Sequence, residues 1–243
     1  ETYRQSFRPL IPGHTYLRYN VSEDLLKITE KTAAIIIEVV QAEAGVIPGD
    51  YNYFQELRKR CTETGTLLII DEIQTGCGRT GKFFGFEHYD FEPDILLLGK
   101  ALGGGMPIAA FIANKSIMSS LSHNPILGHI STFGGNPVCC AAALAAIKAL
   151  KEEPIISEVE NKGQYLEKAL RNIGFNNIRR KGLMMAIDMA SQENNFKLID
   201  KCVENEIIVD WFLFNSQSMR LCPPLVISYE EIDLFIEKMK GCL

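Results

Sequence analysis

Thr66-Leu67-Leu68-Ile69-Ile70-Asp71-Glu72 and, further on, Asp94-Ile95-Leu96-Leu97-Leu98-Gly99-Lys100 are the stretches that decide the fold. Each is a short apolar run that ends abruptly on charge. Runs of this length, unbroken by polar residues, suit strands buried inside a parallel sheet. Residues 33–40, rich in Ile and Val, read as a strand before them, and residues 107–113 as a fourth after a Gly-rich turn. Between residues 33–40 and Thr66, Pro48-Gly49-Asp50 forms a turn and helix cap. Tyr53, Phe54, Leu57 and Cys61 then share one helical face, which Gly65 ends. Asn136-Pro137 opens another helix that reaches about Leu150, with Asn as the cap and Pro at the first helical position. Strands alternating with helices predict an α/β fold around a mostly parallel sheet.

The pattern changes at Lys151-Glu152-Glu153-Pro154. An amphipathic helix follows (Ile156, Val159, Gly163, Leu166, Leu170) and stops at Gly174. Strands are expected near 183–189, 207–212 and 219–221, and a helix near 196–203. A last helix opens with Ser228 and Glu231 as a capping box. Residues 1–150 are therefore read as a large domain and 151–243 as a small C-terminal α+β domain.

The composition is that of an ordinary globular protein: 243 residues, 47% apolar, 23% charged, net charge −5. It excludes disorder and low-complexity classes. The mild acidity and scattered basic residues argue against nucleic acid as a partner. No run reaches the about eighteen apolar residues of a membrane span. Arg4, Arg8 and Arg18 fall where a signal peptide would need an apolar block. The seven cysteines form no CxxC pair and are expected to be reduced thiols in a cytoplasmic protein. His14, His88, His123 and His129 have no metal-ligand spacing. Residue 1 is Glu rather than Met.

Ligand sites of open α/β sheets lie at the carboxyl ends of the strands, and here those ends carry Asp71-Glu72 and Lys100. A lone strand-end lysine is more often simply solvated. A partly desolvated one has the nucleophilic amine that Schiff-base chemistry needs. An aspartate at a neighbouring strand end is the companion such chemistry requires in a pyridoxal phosphate enzyme, where it keeps the pyridine nitrogen protonated. Gly76-Cys77-Gly78-Arg79-Thr80-Gly81 matches G-x-G-x-x-G, but its distance from the strand and the broken segment after it do not suit a dinucleotide site. Gly99-Lys100-Ala101 lacks the upstream glycine and the Ser/Thr of a phosphate loop.

Taken in order, several segments resemble the class III pyridoxal-phosphate-dependent aminotransferases, closest to the ornithine and acetylornithine branch. They are Glu38-Val39-Val40-Gln41-Ala42-Glu43 (with Val39 where the family has Pro), Asp71-Glu72-Ile73-Gln74-Thr75-Gly76, Gly78-Arg79-Thr80-Gly81, Pro93-Asp94-Ile95, Gly99-Lys100-Ala101, Ser131-Thr132-Phe133-Gly134-Gly135-Asn136-Pro137 and Met219-Arg220-Leu221-Cys222-Pro223-Pro224. The resemblance implies a fold-type I transferase and a role for each matching residue. Lys100 would hold the cofactor as a Schiff base and shuttle protons. Asp71 would face the pyridine nitrogen, with Glu72 beside it, Ile73 on the ring face and Gln74 near the ring hydroxyl. Thr132 would reach the cofactor phosphate of a neighbouring subunit in a homodimer, with Ser131 near substrate. Arg220 would clamp a substrate carboxylate, and Glu43 would pair with it; Glu38 is read as structural. The implied reaction moves an amino group from an amino acid or ω-amine donor to a 2-oxo acid such as 2-oxoglutarate. A decarboxylase or aminomutase of the same fold, or a truncated non-catalytic fragment, is the alternative. The resemblance further implies that these residues are the C-terminal portion of a longer chain, short of the phosphate-binding turn.

Overall fold

The computed structural model describes residues 2–243. After a short helix α1 (Thr2–Gln5) come β1 (Ala34–Glu38), β2 (Val40–Gln41), β3 (Ile47–Pro48), α2 (Tyr51–Thr64), β4 (Leu67–Asp71), β5 (Ile95–Leu98) and β6 (Ala110–Ala113). Helices α3 (Lys115–Ser119), α4 (Pro137–Glu152) and α5 (Ile155–Asn172) follow, then β7 (Ile178–Lys181), β8 (Met184–Asp188), α6 (Gln192–Glu204), β9 (Asp210–Phe212), β10 (Asn215–Leu221) and α7 (Tyr229–Lys240).

The first sheet has the order β1-β4-β5-β6, with β1, β4 and β5 parallel and β6 antiparallel. Asp94 sets the start of β5 against β4. Its carboxylate accepts from Leu68 N at 2.7 Å and pairs with Arg58 at 2.8 Å, while its own N–H donates to Leu68 O. This alignment carries the ends of β4 and β5, and hence Asp71 and Lys100, to the same edge of the sheet.

One face of that sheet forms a core: Leu68, Ile70, Leu96 and Leu98 pack on Tyr53, Phe54, Leu57 and Cys61 of α2. Gly65 ends α2 at φ +69, a left-handed turn that suits glycine, and its N–H caps Cys61 O and Thr62 O. On the opposite face the register lines up Ile36, Ile69, Ile95 and Ala113 in one row. Glu38, Asp71, Leu97 and Phe111 follow in the next row on that face. This second face is only half-buried, and Ile36 is 63% exposed.

The run expected as one strand over 33–40 is two elements. The chain leaves the sheet at Val39, whose carbonyl accepts from Gly49 N and Tyr89 Oη, and turns into the β2–β3 hairpin. Polar partners at a single buried residue thus override a continuous apolar pattern. α4 starts at Asn136, whose side chain caps Val138 N and Cys139 N. It packs so closely on the 3-10 turn Lys100–Gly103 that a Cβ at Gly104 would lie 3.0 Å from Ala146 Cβ.

The second sheet, β7-β8-β10-β9, is antiparallel throughout. With α5, α6 and α7 it encloses a core of Leu166, Leu170, Met185, Ile187, Met219, Ile232 and Ile236. Strand β7 was not visible in the sequence because it reads Ile178-Arg179-Arg180-Lys181. Ion pairs to Glu160 and Glu167 make Arg180 acceptable in a half-buried strand, and Arg179 donates to Gly45 O and Ser218 Oγ. β10 begins earlier than expected and β9 later, because Ile207 packs at the end of α6 as part of the helical core. A third small core joins the two sheets, with Val40, Ala42 and Val46 of the hairpin region against Met184, Ala186 and Phe212. No helix among the described residues is long and apolar enough to cross a membrane.

Candidate active site

Lys100 follows Gly99 at the end of β5 and adopts φ +44, in the left-handed region that few non-glycine residues occupy. Its side chain lies at the boundary of two cavities. The smaller, of about 310 Å³, is lined by Glu38, Glu43, Asp71, Ile73, Lys100 and Phe214 among others. The larger, of about 500 Å³, is lined by Arg79, Lys100 and Arg220 together with apolar residues such as Ala146 and Leu225. Ile73 and Gln74 border both.

Asp71 ends β4, and its Oδ1 accepts from Ile73 N at 2.9 Å, which fixes the carboxylate. Its Oδ2 has no hydrogen-bond partner among the described residues. Glu38 is the direct register partner of Asp71 on the adjacent parallel strand, so the two carboxylates stand side by side. Burial raises the Glu38 pKa above the usual carboxylate value. Its bond from Ala42 N works against the shift, and the charges of Asp71 and Glu43 add to it. Glu38, expected to be structural, also lines the smaller cavity; its pairing with Asp71 depends on strand register, which the sequence does not display.

Arg220 on β10 reaches this edge from the second sheet. It donates to Glu43 Oε1 at 2.8 Å and to Gln74 Oε1 at 2.6 Å, while Gln74 Nε2 donates to Glu43 Oε1 at 3.0 Å. Three side chains far apart in sequence thus close one ring of hydrogen bonds. Burial works to raise the Glu43 pKa, but donors from Gln74, Leu213 N and Arg220 outweigh it and hold the carboxylate below its ordinary value. Burial likewise opposes the charge on Arg220, and neighbouring Cys222 and Glu43 overcome it, so its pKa is raised. In this arrangement the Gln74 amide is engaged with Arg220 and Glu43.

Glu72 does not join the group. It is 1% exposed and faces the opposite side of the turn, where it accepts from Thr75 Oγ1 at 2.5 Å, Gly85 N at 2.9 Å and Phe86 N at 2.7 Å. Burial raises its pKa. Its chemistry is to hold the 72–86 loop, because adjacent residues after a strand end point to opposite sides. Ser131 and Thr132 lie on an exposed loop and line neither cavity. Arg79, inside the misleading glycine-rich stretch, does line the larger cavity, and no apolar periodicity marked it.

An amine, a carboxylate with a free oxygen and an apolar Ile73 face around one cavity of about 310 Å³ fit the ring and aldehyde of pyridoxal phosphate, and its phosphate has no partner in this lining.

The family described as aminotransferase class-III matches residues 1–243. Among solved structures, the ornithine aminotransferase of Toxoplasma gondii, described with partial occupancy of PLP at its active site, superposes with a TM-score of 0.88 at 33% identity. That match covers 97% of this chain and 57% of the other. The acetylornithine aminotransferase of Elizabethkingia anophelis gives 0.84 at 34% identity, over 95% of this chain and 60% of that one. An S-selective transaminase from Arthrobacter sp. gives 0.79 at 26% identity, over 91% and 53%. The chain therefore spans a little over half the length of the solved structures it matches.

Proposed function

The chain belongs to the class-III aminotransferase family, and from that premise we propose that its Lys100 site transfers amino groups with pyridoxal 5'-phosphate as cofactor. The observation that carries this reading is the convergence of Lys100 and Asp71 on one cavity, with the Arg220–Glu43 pair at its edge. Two of the three structural relatives quoted above are ornithine and acetylornithine aminotransferases, which favours a donor with an amine remote from its carboxylate.

Bound pyridoxal phosphate supplies an electron sink and a carrier for the amino group. Lys100, Asp71, Ile73 and Gln74 are the residues of this chain that would hold it. Asp71 Oδ2, the oxygen left free, would hold a proton at the ring nitrogen. Lys100 Nζ would take the proton from the donor carbon and return it, as general base and then general acid. Ile73 would exclude water from one face of the ring. Arg220 would orient a carboxylate of donor or acceptor in a bidentate contact. Glu43 would act as a gate, covering Arg220 for a donor whose amine enters there and leaving it when a 2-oxo acid arrives.

We place residues 1–150 in the cofactor domain and 151–243 in the small domain. Ser131 and Thr132 suit a homodimer in which their exposed loop serves the neighbouring site. Seven free cysteines suit the reducing cytoplasm. The test is to incubate the protein and pyridoxal phosphate with 2-oxoglutarate and, in turn, ornithine, acetylornithine and 4-aminobutyrate, and to measure glutamate and CO₂. Glutamate formation that Lys100→Ala abolishes supports the reading. CO₂ release without glutamate replaces it with a decarboxylase, and glutamate formation that survives Lys100→Ala removes Lys100 from the chemistry.

A further inference from the structure

The larger cavity has a composition that the chemistry of Lys100 alone does not call for. Arg79, Lys100 and Arg220 line its about 500 Å³ and no Asp or Glu does, whereas Glu38, Glu43 and Asp71 line the smaller one. Lys100 thus stands between an acidic compartment and a basic one.

Of the two guanidinium groups, Arg220 is already paired with Glu43 at 2.8 Å. Arg79 has no acidic partner among the described residues. Its NH1 donates to Leu183 O at 3.1 Å and to Pro223 O at 2.6 Å, so carbonyls just before β8 and just after β10 hold the fork. The N–H groups on Nε and NH2 have no acceptor among the described residues. Burial pushes the Arg79 pKa down, and the nearby charge of Arg220 acts in the same direction. A half-buried guanidinium held in place without a counter-ion is strained electrostatically, and an incoming anion relieves that strain. The remaining wall is aliphatic, with Ala146, Leu150 and Leu225.

We propose that this cavity is an anion subsite in which Arg79 receives the carboxylate of a small aliphatic acid, with the chain of the acid along the Ala146–Leu225 wall. The proposal rests on the aminotransferase reading for its relevance to substrate, and not for the binding itself.

The test is arginine footprinting with phenylglyoxal, read by peptide mass spectrometry on the wild-type chain. Glutarate is the probe, and the uncharged glutaramide is the control. With glutarate raised to about ten times its dissociation constant, modification of Arg79 is expected to slow about tenfold, while glutaramide leaves it unchanged. Three results overturn the proposal: equal modification of Arg79 with and without glutarate, protection confined to Arg220, or an Arg79 that phenylglyoxal never reaches. The same footprint is taken on Lys100→Ala. Protection of Arg79 that persists there, in a protein whose wild type transfers no amino group, removes the aminotransferase reading and keeps the anion site.

Discussion

Replacing Glu43 by Gln tests the gate at Arg220. In the present arrangement a carboxylate that takes the NH1 contact of Arg220 must displace Glu43, whose Oε1 lies 2.8 Å from NH1. Both side chains are under a quarter exposed, at 22% and 23%, so solvent screens the pair only in part. A hydrogen bond to a charged group contributes about 1.5–3 kcal/mol net. Removing the competing charge should therefore tighten carboxylate binding about 10- to 150-fold, at about 1.4 kcal/mol per tenfold. Gln is the suitable replacement because its carbonyl oxygen can still accept from Leu213 N, the bond Glu43 Oε2 makes at 3.2 Å. The assay is calorimetric titration with 2-oxoglutarate on wild type, Glu43→Gln, Arg220→Met and the double variant. The gain must vanish when Arg220 is Met, because the effect passes through that guanidinium. An unchanged affinity in Glu43→Gln, or a gain that survives in the double variant, refutes the gate.

Four further outcomes follow from the packing. Glu72→Ala leaves the Thr75 hydroxyl and the Gly85 and Phe86 amides without their acceptor. At about 1–3 kcal/mol for each buried group left unpaired, the loss should be at least about 3 kcal/mol and appear as a large drop in the urea midpoint. Gly163→Ala should lower Tm, although Ala usually stabilises a helix interior, because the new Cβ would lie 2.4 Å from Gly182 O; a rise in Tm contradicts the packing. Hydrogen bonds from Arg18 and Lys27 hold the Asp24 pKa well below the usual carboxylate range. A depressed folded-state value stabilises above the ordinary pKa of about 4, and that contribution fades as pH falls through the depressed value. The stability gap between wild type and Asp24→Asn should therefore shrink on acidification below about pH 4, and a constant gap excludes the linkage. Phe54→Ala should cost about 3–5 kcal/mol in the same urea assay, since Phe54 is fully buried between the first sheet and Tyr19, Tyr89 and Phe91.

The sequence made the sheet legible wherever an apolar run ended on a charged residue. Strands β4 and β5 were found that way, and with them Asp71 and Lys100. Arg220 was legible through the resemblance, in the segment Met219-Arg220-Leu221 that sets its charge between apolar neighbours. β7 was not, because its half-buried positions are filled by arginines whose partners, Glu160, Glu167 and Gly45, lie in other elements. Glu72 was grouped with Asp71 by adjacency, whereas side-chain alternation sends it to the far side of the turn. Arg79 was legible only as part of the segment Gly78-Arg79-Thr80-Gly81; its place in a cavity without Asp or Glu was not, because that depends on which residues do not accompany it there. That is a property of tertiary packing, and no local pattern records it.

The central claim is that Lys100 is the group that engages the cofactor opposite Asp71. The direct measurement is borohydride reduction of the protein equilibrated with pyridoxal phosphate, followed by peptide mass spectrometry. A pyridoxyl-phosphate mass is expected on Lys100 alone, weakened when Asp71 is replaced by Asn. An adduct spread over surface lysines, or fixed on another lysine with Lys100 unmodified, contradicts it.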